Sequence, residues 1–73
     1  MTDKYKPIPC ALYDEYELAA VQGKRVRIFL KSGKEVCSVI KDLQTIDTVE
    51  YMILSNGKQF RLDEIRDWEE LKA

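Results

Sequence analysis

The sequence predicts a small, mainly β domain in which one N-terminal α-helix precedes five antiparallel strands curled into a barrel. Three observations lead there. Between Cys10 and Gly23, Leu12, Tyr16, Ala19 and Ala20 recur at the i, i+4, i+7 and i+8 spacing of one buried helical stripe. From Lys24 onward the apolar period drops to two, and the apolar runs are joined by short connections rich in turn residues. Finally, 73 residues allow only a small core, so the apolar side of such a sheet has to curl under the helix rather than lie flat.

In chain order, 1–9 is expected to be an extended arm, because Pro7 and Pro9 fix their own φ and push the preceding residue out of the α region. Tyr5 and Ile8 should lean on the helix or the sheet edge. The helix is expected over 10–22, with Gly23 as the left-handed residue that ends it. The barrel follows over 24–71. Lys24 to Lys31 alternates Val26, Ile28 and Leu30 with Arg25, Arg27, Phe29 and Lys31, the pattern of a half-buried strand. Lys31 to Lys34 is a turn. Glu35 to about Leu43 carries Val36, Cys37, Val39 and Ile40 on both faces, as suits a long strand that bends, carries a bulge and is buried at both ends.

A loop over Gln44 to Thr48 leads to a third strand, Val49 to Ser55. Asn56-Gly57 then joins it to the fourth, Lys58 to Leu62, as a type I′ hairpin. Asp63 to Ile65 makes a corner, and Arg66 to Leu71 is a last strand anchored by Trp68 and Leu71. Val26, Ile28, Leu30, Val39, Tyr51, Ile53, Phe60 and Leu62 are expected to supply most of the core. The shape fits an Sm-like barrel and an OB-fold; the helix-first order and the bent second strand favour the Sm-like type, with an SH3-like barrel next.

Composition narrows the function. At 45% hydrophobic and 34% charged the chain is globular, and no apolar stretch approaches the roughly 20 residues of a membrane span. The polar, proline-interrupted opening is neither a signal nor a transit sequence, so a cytoplasmic protein is expected, folded as one domain over 1–73 and monomeric when free. With no histidine and no CxxC, zinc binding and histidine-dependent catalysis are closed, and no catalytic residue, metal or cofactor is expected. Cys10 and Cys37 read as free thiols with packing roles. The acids Asp63, Glu64, Asp67, Glu69 and Glu70 match no calcium loop and read as surface charge.

Two constellations remain. On the helix, Asp14 and Glu17 lie three residues apart on the solvent side, with Tyr13 at the flank and Glu15 beside them. No Lys or Arg occurs between Cys10 and Gln22, so nothing within the helix neutralises these acids. They suit either a cationic partner or a solvated face whose carboxylates favour the positive end of the helix dipole. On the first strand, Arg25, Arg27 and Lys31 with Phe29 between them resemble a basic-aromatic platform for single-stranded nucleic acid. The alternative is an outward face neutralised by Glu35 and the acids of the last strand, and a pI of about 5.4 argues against nucleic-acid binding.

The run Tyr5-Lys6-Pro7-Ile8-Pro9-Cys10, then Tyr13-Asp14 and Glu17-Leu18-Ala19, and later Asp42-Leu43 and Val49-Glu50-Tyr51, resembles the Rho-binding antiterminator family, Rof. These are small bacterial Sm-like proteins that bind the transcription termination factor Rho and inhibit it. The resemblance implies that Rho is the partner and that the protein competes with RNA at the primary site on Rho's N-terminal OB-fold. Tyr13, Asp14 and Glu17 match the family motif, and Glu15 extends the patch. An acidic helix is the charge complement of a site built to hold phosphates. The chain departs from the family at Ala11, where an acid is common, at Ala20, where a second cysteine is common, and at Asp47-Thr48, where relatives can place basic or amide residues.

Overall fold

The computed structural model describes residues 5–71; positions 1–4 of the expected arm and the last two residues lie outside them. Helix α1 covers Cys10–Val21, with Pro9 at its N-cap. The Pro9 carbonyl accepts from the N–H groups of Leu12 and Tyr13 at 3.0 and 3.1 Å. At the other end Gly23 takes φ +65°. Its N–H donates to the Ala20 carbonyl at 3.1 Å and that of Lys24 to the Ala19 carbonyl at 3.0 Å. This paired closure is a Schellman motif, and it satisfies carbonyls that would otherwise be orphaned.

The strands are β1 (Arg25–Leu30), β2 (Glu35–Ile46), β3 (Val49–Leu54), β4 (Gln59–Arg61) and β5 (Ile65–Glu70). Their order is β4-β3-β2-β1-β5, antiparallel throughout. Thus β1 to β4 form a meander, while a 3-10 helix over Leu62–Glu64 carries the chain back so that β5 lies beside β1. The expected barrel does not close: β4 and β5 are the two edges of a bent, open sheet. The reason lies in the connection. β4 is only three residues long, and the buried Leu62 turns the chain before β4 can extend toward β5. The helix covers the open apolar side instead, with the Tyr16 ring 5.1 Å from that of Trp68 in an edge-on arrangement.

Strand β2 is shared by the two halves of the sheet, and its bulge is present: pairing to β3 slips between Ile40 and Asp42, leaving Lys41 unpaired. The strand then runs on past the expected end to Ile46. Its far end is exposed, so it is not buried at both ends, and the loop expected over Gln44 to Thr48 shrinks to Asp47-Thr48. These two residues take φ 49° and 65°, and Ile46 pairs with Val49 across them, which is the two-residue hairpin that needs positive φ at both central positions. The Asn56-Gly57 turn, in contrast, is not type I′. Only Gly57 has positive φ, and Gly57 N–H donates to Leu54 O at 3.0 Å while Leu54 N–H donates to Lys58 O at 2.8 Å. This is a three-residue loop with a glycine bulge, repeated between Leu30 and Lys34 around Gly33.

Thr48 is β-branched, and the left-handed region costs such a residue of the order of 1–3 kcal/mol. Replacing Thr48 with Gly creates the preferred Asp-Gly pair. Stability should rise by about 1 kcal/mol, seen as a higher urea midpoint at unchanged slope. A lower midpoint would contradict this account of the turn.

The core consists of Tyr16, Ala19, Val26, Ile28, Leu30, Ile40, Met52, Leu54 and Leu62, with Leu12, Ala20, Leu43, Phe60 and Trp68 packed against it. β1 and Leu62 match expectation. In β2 and β3 the faces are exchanged: Ile40 replaces Val39, and Met52 and Leu54 replace Tyr51 and Ile53, which are half-buried on the other face, while Phe60 is only half-buried. Buried Ser38 keeps its hydroxyl satisfied 2.9 Å from that of Ser55.

Candidate protein-binding site

The segment before the helix is tied down by polar contacts. The Tyr5 hydroxyl donates to Glu50 Oε1 at 2.7 Å, and the Arg61 guanidinium lies 5.7 Å from the Tyr5 ring centre. Lys6 N–H donates to Asp63 Oδ2 at 3.3 Å, and Arg61 reaches both oxygens of the same carboxylate at 3.1 and 2.6 Å. Burial tends to raise the Asp63 pKa, but the bonds from Arg61 and Lys6 outweigh it and hold the carboxyl below its ordinary value. Ile8 packs on the core from this segment. The start of α1 is therefore fixed to β3 and β4, and the helix face is presented in one orientation.

Along the helix Asp14, Glu15 and Glu17 are exposed and Tyr13 is half-buried, but Glu15, two residues before Glu17, points to the other side, toward Tyr16 and Asp67. Tyr13 sits between helix and sheet, where burial first, then the charges of Glu17, Glu50 and Asp42, raise its phenol pKa against a bond to Thr45 that lowers it. The structure brings Tyr13 and Glu17 together, with Asp14 exposed one residue further along the helix. The first turn holds no acid. Asp14, Glu15 and Glu17 thus lie beyond the turn in which the dipole is felt, and the dipole gives little reason for them. Among the described residues none of the three takes part in an ion pair.

Several residues not singled out for the site in the sequence join it. Asp42 comes from the strand just past the bulge, and Glu50 from β3, where it pairs with Thr45. The Asp42 carboxylate is held by the Leu43 N–H at 2.8 Å and the Gln44 amide at 3.2 Å. The helix surface is also less polar than its acids suggest: Leu18 is 57% and Val21 85% exposed. Beside Val21 an open groove of about 250 Å³ runs between the helix and the bend of β2, lined by Glu17, Ala20, Val21, Lys41, Asp42 and Leu43.

The basic strand has a different environment. Arg27 lies opposite Glu69 in the register and pairs with it at 3.2 Å, with Glu35 at 3.9 Å. Lys24 pairs with Glu70 at 3.4 Å. Arg66 sits over Phe29 at 5.6 Å from the ring centre. Lys31 has left the strand for the turn, where its N–H donates to Glu64 O at 2.9 Å. Arg25 remains exposed, but Arg25, Arg27, Phe29 and Lys31 do not form one open cationic strip. Cys10 and Cys37 are free and both exposed, which removes the packing roles expected of them. Among the described residues no three potential ligands gather as a metal site. No described helix is long and apolar enough to cross a membrane.

Residues 7–73 match the sequence profile of a family described as "Modulator of Rho-dependent transcription termination (ROF)". Two relatives, each named "Protein rof", come from Escherichia coli (strain K12) and Shigella flexneri. Each is 34% identical over 68 residues, covering 89% of this chain and 81% of the relative.

Proposed function

This chain belongs to the family of modulators of Rho-dependent transcription termination, and we propose that it acts there as a non-enzymatic inhibitor whose acidic helix face binds the N-terminal RNA-binding domain of Rho. Tyr13, Asp14 and Glu17 make the contact. A surface that grips RNA is basic because phosphates dominate its affinity, so it attracts this face as it attracts RNA, and a bound protein excludes the transcript.

One observation carries the reading: the helix acids have no cationic partner among the described residues, while Lys24 and Arg27 of the basic segment are paired with Glu70, Glu35 and Glu69. The helix therefore offers a partner negative charge that no ion pair among the described residues balances. An RNA-binding platform would need the opposite distribution.

Immobilised protein should capture Rho from a bacterial lysate equally well before and after ribonuclease treatment, as read by immunoblot for Rho. Capture that disappears with the RNA would assign the protein to RNA instead.

A further inference from the structure

Val21 is the most exposed large apolar side chain on the helix, and Leu18, one turn before it, is also mostly in water. Neither contributes to the core, and a domain this small gains nothing by leaving them there. Val21 lines the groove with Ala20 and Leu43 on its apolar side, and Glu17, Asp42 and Lys41 form its rim. A contiguous apolar patch rimmed by polar groups marks a contact surface, and Val21 continues the apolar wall of the groove made by Ala20 and Leu43. The rim is not symmetric in charge: two carboxylates face one ammonium, and Asp14 lies one turn from Glu17 on the same side of the helix. Asp42 is held in place by the Leu43 N–H and the Gln44 amide, so its carboxylate is oriented before any partner arrives.

We propose that this groove receives a long basic side chain of Rho, its methylene stem against Ala20, Val21 and Leu43 and its charged end between Glu17 and Asp42. The inference rests on the reading of the helix as the Rho-binding face and adds Val21 and Asp42 to it. Lysine and arginine suit such a site because they bury their stems on apolar surface while the charged head stays at a polar rim. An arginine suits it best, since its planar fork can address two carboxylates at once. A purely apolar side chain would leave Glu17 and Asp42 facing it without a partner. An acidic one would be repelled.

The test is a titration of purified Rho hexamer with the full-length protein and three variants, at two salt concentrations. Val21→Ser removes apolar contact without changing charge and should weaken binding roughly tenfold with the salt dependence kept. Asp42→Asn retains an acceptor for the Leu43 N–H but loses the charge; it should weaken binding by a similar factor and flatten the salt dependence. Both residues are exposed, so both variants should melt with the parent protein. Asp14→Lys serves as the reference for the helix face as a whole. If Val21→Ser and Asp42→Asn bind like the parent while Asp14→Lys fails, the groove is not occupied and the inference is wrong, though the helix reading stands. If Asp14→Lys also binds like the parent, both are wrong. If Val21→Ser abolishes self-association of the free protein in sedimentation and leaves Rho affinity intact, the apolar rim serves a second copy of this chain, which also overturns the proposal.

Discussion

Changing Asp14 or Glu17 to Lys should weaken Rho binding by at least about a hundredfold while the protein stays folded. Like charges brought together across an interface cost several kcal/mol, and about 3 kcal/mol already corresponds to that factor. The fold should survive because both side chains are exposed and unpaired among the described residues, and such substitutions usually change stability by less than about 0.5 kcal/mol. Relief of termination in a transcription assay should fail in parallel with binding. Binding of the parent protein should weaken with added salt, since exposed charges are screened beyond about 8 Å at physiological ionic strength. The comparison variant carries Arg25→Glu and Arg27→Glu. It replaces the exposed pairs of Arg27 with Glu35 and Glu69 by like-charge neighbours, which lowers stability modestly, and the folded variant should keep its Rho affinity. A helix variant that binds normally beside a strand variant that does not would reverse the assignment of the two faces.

β1 was legible because it carries one clean period, and the helix because Pro9 and Gly23 mark its ends, although Leu18 and Val21 interrupt its apolar stripe. Gly23 marked the helix end for a backbone reason that the Schellman closure bears out, with Gly23 at φ +65°. β2 and β3 were not legible in register. Val39 and Ile40 stand next to each other, as do Tyr51, Met52, Ile53 and Leu54, so both alternations offer an apolar face. A one-residue slip exchanges every side chain in a strand, and nothing local prevents it. The bulge at Lys41 changes the phase within β2, which the period of neither half reveals. Turn chemistry misled in the same way: Asn56-Gly57 has the best composition for a type I′ turn, yet the paired positive φ angles fall at Asp47-Thr48, whose composition does not advertise them.

The site was half legible. Three acids within a helix that holds no Lys or Arg are visible in the sequence as they stand. Asp42 and Glu50 could not be placed beside Tyr13 from the sequence. Their proximity depends on the bulge, which sets where Asp42 emerges, and on the pairing of Thr45 with Glu50. Leu18 and Val21 fall outside the apolar stripe of Leu12, Tyr16, Ala19 and Ala20, on the side of the helix that carries Asp14 and Glu17. What the sequence read as an acidic face is an acidic face with an apolar margin.

The register itself has a direct and large consequence. Leu54 is fully buried, pairs with Ile40 and belongs to the central cluster, whereas its neighbour Ile53 is half-buried on the opposite face. Leu54→Ala leaves a cavity walled by strands of both halves of the sheet, and such truncations cost about 2 to 5 kcal/mol. A chain of 73 residues has roughly 4 to 11 kcal/mol in total, so the variant should be close to its unfolding threshold. Ile53→Ala removes as many side-chain carbons from a site that solvent and neighbouring side chains can fill, and it should cost well under half as much. Urea unfolding followed by the fluorescence of Trp68, the one tryptophan, reads both, because that ring packs edge-on to Tyr16 and loses this contact on unfolding. The free-energy difference is taken from midpoints at equal slope. Equal losses at Leu54 and Ile53, or the larger loss at Ile53, would mean that β3 turns its other face to the core. In that case the placement of Glu50 beside Tyr5 and Tyr13 would fail with it.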